Sequence, residues 1–162
     1  MTILLDAPRT IAAPAAPKLS PRVLVEAVML GPGPAMRTVR TRPGADLLDA
    51  LDQPITRELL ISRCSDEPSA HRVLGVALAL GRASQTPEQH RAAYTTAAYA
   101  ALALGRRELG IGLLNTALDA DDVLDDEDPF AVSLGLAIYL HEASAAHYGY
   151  FAARLALRLR SA

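Results

Sequence analysis

From Ala45 onward, apolar residues recur every three or four positions, which is the period of a helix with one buried face. In "ADLLDALDQPITRELLISRC" the residues Leu47, Leu48, Leu51, Ile55, Leu59 and Leu60 keep that spacing, and Pro54 reads as the first turn of a new helix. "SDEPSAHRVLGVALALG" predicts the next helix, with Ser65 or Ser69 as its cap and Gly81 as its stop. "SQTPEQHRAAYTTAAYAALALG" has Thr86 at the N-cap position, Pro87 behind it and Gly105 at the end. "RRELGIGLLNTALDADD", "PFAVSLGLAIYLHEASA" after Asp128, and "HYGYFAARLALRLR" complete about six helices, with no strand from residue 45 onward.

Upstream the pattern changes. Residues 1 to 21 carry Pro8, Pro14, Pro17 and Pro21, a density that favours an extended chain. "VLVEAVML", "GPGP" and "AMRTVRT" then read either as a β-hairpin around a Gly-Pro turn or as an irregular extended arm. A lone hairpin is marginal in water, so it would need the helical body or a partner. The expected organisation is an arm over 1–44 and an α-helical domain over 45–162. The expected fold class is all-α: a small bundle or a short stack of helix pairs, with an extended N-terminal arm.

The stretch "AAYAALALGRRELGIGLLNTALDADD" resembles a tetratricopeptide-type repeat over about residues 94–122. Tyr94, Ala97, Ala98, Gly105, Gly110, Leu114 and Ala117 fall at that family's spacing, with Tyr94 in place of its Trp and Asp122 in place of its Pro. "AVSLGLAIY" is similar to the first half of a second unit. His147 and Arg154, where small residues are the rule, depart from the family in its second half. The resemblance implies paired, stacked helices and a binding role. Small residues at 98, 110 and 117 would let the backbones approach, and Gly105 would adopt a left-handed cap. The segment from His90 to Asp122 also resembles the C-terminal helical part of an uncharacterised actinobacterial family, which implies no known activity.

Composition narrows the classes. The chain has 162 residues, 51% of them apolar but only 4% aromatic, with no Trp. Alanine supplies much of the apolar share, so the core is one of closely spaced helices rather than of large side chains. Net charge is −2, without the strongly basic balance of a nucleic-acid binder. Cys64 is the sole cysteine, so neither an internal disulfide nor a cysteine zinc site can form within one chain. The N-terminus lacks a basic leader region, and no apolar run is long enough to span a bilayer, so a cytoplasmic protein is expected.

The chemical motifs are incomplete. "HEASAAH" places His147 six residues after His141, which puts the two on different sides of a helix rather than on one metal. The acidic run Asp119, Asp121, Asp122, Asp125, Asp126, Glu127 and Asp128 lacks the glycine and oxygen spacing of a calcium loop. It reads as a solvated turn, with Asp128 capping the helix that follows. No phosphate-binding loop or nucleophile elbow is present, and no cofactor or metal site is expected. Two arginine groups remain as candidate partner-binding surfaces. Arg37, Arg40 and Arg42 lie in the arm. Arg154 and Arg158 lie on the last helix beside the apolar stripe of Phe151, Leu155 and Leu159. Neither has the interleaved aromatics that stack on bases. The expectation is a non-enzymatic protein-protein interaction or assembly protein that self-associates as a homo-oligomer, with a phage or plasmid structural component as a variant of that reading. The alternatives are a nucleic-acid-associated regulator using the arginines, and a small enzyme around Cys64, His71 and His90 or around His141 and Glu142.

Overall fold

The computed structural model describes residues 19–124 together with Asp128, Ala131 and Leu134; for 120–124 it describes the backbone alone. Among the described residues seven helices follow in order: α1 (Pro21–Leu30), α2 (Ala35–Thr38), α3 (Arg42–Asp49), α4 (Pro54–Ile61), α5 (Glu67–Ala83), α6 (Pro87–Ala103) and α7 (Arg107–Leu124). No strand occurs among the described residues. The all-α class is therefore that of the molecule.

The centre is α6, packed between α5 and α7 through three-residue connections that fold each helix back on the last. Its residues from Thr95 to Leu102 are all buried, and a helix buried all round must be small-sided to be approached from every direction. Alanine meets that need at four of those eight positions. Thr95 and Thr96 meet it by turning their hydroxyls onto the carbonyls of Arg91 and Ala92, at 2.9 and 2.8 Å. On α7, Gly110 is buried, and a Cβ there would come within 2.6 Å of Leu102 Cγ. Ala98 and Ala117 are fully buried beside it, so the small residues at 98, 110 and 117 do permit the close approach.

Several boundary signals hold. Thr86 caps α6 by accepting from the Gln89 N–H, and Gln89 Oε1 accepts from the Gln85 N–H. Gly105 takes φ +70°, its N–H donates to Leu102 O, and Arg106 N–H donates to Ala101 O. Those paired bonds close the last turn of α6. Two signals resolve differently. The cap of α5 is Asp66, whose carboxylate accepts from the Ser69 N–H at 2.8 Å. Gly81 does not stop α5, which continues to Ala83. It is small because Tyr94 lies against it, 2.7 Å from where a Cβ would be.

The larger correction concerns residues 21–44. They form neither a hairpin nor an extended arm, but α1, α2 and the start of α3. Leu24, Val25 and Val28 of α1 are buried in one cluster with Leu47, Leu51, Leu60, Val76 and Leu80. The prolines that read as helix breakers sit where a helix tolerates them. Pro21 and Pro43 occupy first-turn positions and Pro34 the N-cap of α2, where no intrahelical N–H is lost. Gly44 is no linker either. It is buried in α3, and a Cβ there would overlap the backbone of Val39. Residues 1–18 lie outside the described residues.

Candidate interaction face

The α1–α2 connection brings the first arginine group to the surface. Gly31, Pro32, Gly33 and Pro34 turn the chain, with Gly33 at φ +88°, a conformation that side chains disfavour. The four-residue α2 follows, then Val39, buried, and α3 from Arg42. Arg37, Arg40 and Arg42 are all exposed on this short stretch, as is Met36. Arg42 reaches Asp46 at 3.9 Å, a one-turn pair on the surface that holds it only weakly.

What makes this turn definite is Arg72 of α5. Its Nη1 donates to Gly33 O at 2.6 Å. Its Nη2 is within hydrogen-bond distance of Gly31 O (2.8 Å), Thr38 Oγ1 (3.0 Å) and Val28 O (3.1 Å). One guanidinium thus meets the unpaired carbonyls at the end of α1, the turn, and α2, and its charge suits the negative end of α1. Its Nε is buried without a hydrogen-bond partner. The sequence carried a signal for Arg72 that went unread. The residues four and seven positions on, Val76 and Ala79, are buried, so a charge sits in register with an apolar stripe. Arg57 has the same signature, with Leu60 and Ile61 buried behind it. It pairs with the carboxylate of Asp128, which is 2% exposed. Asp128 is therefore a buried ionic partner rather than part of a solvated turn.

The other candidate residues have separate surroundings. Cys64 packs against the cluster of Ile61, Val73, Leu74 and Tyr99, and burial, with Asp66 nearby, pushes its thiol up to about 12. Such a thiol stays protonated and unreactive at neutral pH. His71 Nε2 lies 3.3 Å from Arg106 Nη2. His90 Nδ1 lies 3.2 Å from Ser84 Oγ, and its ring stacks, tilted, on Tyr94 at 4.4 Å between centroids. These two share the edge of an open cleft of about 400 Å³ with Thr86, Thr116 and Asp119. Ser84 Oγ also donates to Gly81 O at 2.6 Å. That bond engages the hydroxyl proton, and in the tautomer with its proton on Nδ1 the His90 ring donates to Ser84 Oγ.

Among the described residues no group of three or more His, Cys, Asp or Glu could hold a metal ion, and no helix is long and apolar enough to cross a membrane. His141, Glu142 and His147 lie outside the described residues, as do Phe151, Arg154, Leu155, Arg158 and Leu159. So do Asp125, Asp126 and Glu127 of the acidic run, whose Asp119, Asp121 and Asp122 belong to α7, and the second repeat-like unit apart from Ala131 and Leu134, which are buried against the α5–α7 cluster. Comparison with known protein families, with curated proteins and with solved structures finds no match to any of them.

Proposed function

We propose that this is a non-enzymatic interaction protein that docks an acidic protein surface, a second copy of the chain included, on the turn carrying Arg37, Arg40 and Arg42. The observation that carries the reading is the Arg72 clamp. A half-buried guanidinium that fixes one exposed, arginine-bearing turn presents those side chains on a fixed backbone, which lowers the ordering cost of binding. Arginine is the cation suited to this task, since its planar fork pairs two-pronged with carboxylates. The raised thiol of Cys64 favours this reading over a small enzyme built around that cysteine.

The test is capture of partners by the full chain and by the triple variant Arg37→Glu, Arg40→Glu, Arg42→Glu, followed by titration of each purified partner in rising salt. The reading expects protein partners that the variant loses, with binding that weakens as salt rises. Equal capture by both chains contradicts it. Capture of nucleic acid alone, with a steep salt slope, transfers the arginines to the regulator alternative.

A further inference from the structure

The fold sorts charge to two ends of the helix trio. His71 Nε2 lies 3.3 Å from Arg106 Nη2, so the start of α5 sits beside the start of α7. Arg72, next in sequence to His71, clamps the turn at this end, and with it Arg37, Arg40 and Arg42. Ser84, Thr86, Thr116 and Asp119 share one cleft, so the end of α5 and the start of α6 sit beside the last turns of α7. Gln89 Nε2 donates to Asp49 Oδ1 at 3.3 Å, which brings the end of α3 to this second end as well. The basic turn and the end of α7 are therefore a helix length apart, about 25 Å for the 17 residues of α6.

The end of α7 carries more negative charge than a helix terminus favours. Asp119, Asp121 and Asp122 fall in its last two turns, and no basic residue lies in the last. Carboxylates there oppose the partial negative charge that a helix carries at its C-terminus. Asp119 is exposed, and Asp49, Asp52 and Glu88 are exposed at the same end, with Arg82 as an exposed cation among them. The acids at the basic end are differently placed. Asp66 caps α5, and Glu67 and Glu108 lie in the first turns of α5 and α7, where the helix dipole favours them. Among the described residues neither Arg37, Arg40 nor Asp119 has an ion-pair partner. Within one chain these two groups do not neutralise each other, because exposed charges interact over about 8 Å at physiological salt, about a third of the distance between them.

We infer that the turn bearing Arg37 and Arg40 takes the acidic end of α7 from a second copy of the chain, head to tail. The inference rests on the arginine face proposed above and names its occupant. The guanidinium forks pair with the carboxylates, and the same cations meet the negative end of the α7 dipole. Because the two surfaces lie at opposite ends, every contact leaves one of each exposed, and the contact repeats until it closes as a ring or runs on as a filament. An unrelated acidic partner on the turn displaces the second copy and leaves the end of α7 exposed.

Sedimentation of the full chain tests this with two variants, Arg37→Gln with Arg40→Gln, and Asp119→Asn with Asp122→Asn. The native chain is expected to form assemblies larger than a dimer as its concentration rises at about 50 mM salt, and to associate about tenfold more weakly at about 500 mM. Each variant alone is expected to remain a monomer, because one of its ends is blunted. Mixed one to one, the two variants are expected to form a dimer and nothing larger, since each supplies the end that the other lacks; that dimer also shows both to be folded. A mixture that stays monomeric overturns the inference, as does a native chain that stops at a dimer. A native monomer overturns it and leaves the arginine face to other partners. Self-association that needs the arginines but not the aspartates overturns it in the same way, whereas self-association that ignores the arginines contradicts both readings.

Discussion

Helices α5, α6 and α7 run 17, 17 and 18 residues, whereas α1 to α4 run 10, 4, 8 and 8. The long trio is held by small residues packed along whole helix lengths, with capped ends that are local in sequence. The short group has too few turns to be held that way, since helices of under about a dozen residues are marginal alone. It depends on point fixtures reached from elsewhere: Arg72 at the turn, Gly44 against Val39, and the cluster around Leu47 and Leu80. Distributed packing degrades by degrees when one side chain changes. A fixture fails at once, and the two halves should respond to substitution accordingly.

Removing the clamp should have the largest effect. Arg72→Ala leaves the carbonyls of Gly31 and Gly33 without their charged donor, at an expected cost of about 3 kcal/mol. Chemical denaturation measures the loss. Hydrogen exchange should show α1 and α2 deprotected while α6 keeps its protection; uniform deprotection of both halves would erase the contrast drawn here. Gly44→Ala comes next, at about 2 kcal/mol, because the new Cβ meets backbone, which cannot rotate away. A thermal melt reads this, and an unchanged Tm would restore Gly44 to the role of a linker.

These two positions show how far the sequence was legible. The long helices announced themselves by period and by local signals: Thr86 with Pro87, Gly105, and the small residues at 98, 110 and 117. Of the short ones, α3 and α4 showed in the spacing of Leu47 to Leu60 and in Pro54, whereas α1 and α2 did not, because the same prolines that mark an extended chain also mark helix starts, and only the flanking cluster decides between them. At the proposed interaction face, Arg37, Arg40 and Arg42 were visible as a group in the sequence. Their support was not, since Arg72 is more than thirty residues downstream of Thr38 and its role is set by tertiary contact.

Within the long trio, two glycines two residues apart provide a sharper pair. Gly110→Ala should cost about 1–2 kcal/mol, because its Cβ would press on Leu102. Gly112 has nothing within 4 Å of its Cβ position, so Gly112→Ala should instead stabilise the helix by about 0.5–1 kcal/mol. Urea midpoints of the two variants moving in the same direction would contradict the packing described for α6 and α7.

The smallest effect is at the exposed cap of α5. The Ser69 N–H, then the Ser69 hydroxyl, hold the Asp66 carboxyl below its ordinary value of 3.8. A depressed folded-state pKa gives stability that is present above the ordinary value and lost as pH falls through the folded one. Asp66→Ala should therefore lower Tm slightly at neutral pH, with the gap to the native chain closing as the pH drops below about 4. A gap that persists in strong acid would mean the carboxylate is not its source.

The central claim is that the clamped turn is where this protein meets its partner. Hydrogen exchange of the full chain, alone and in complex with a purified partner that binds it, tests that claim most directly. The account predicts new protection confined to the turn and α2, over residues 31 to 42, and none at the cleft lined by Ser84, His90 and Asp119. Protection at the cleft, with the turn unchanged, would contradict it.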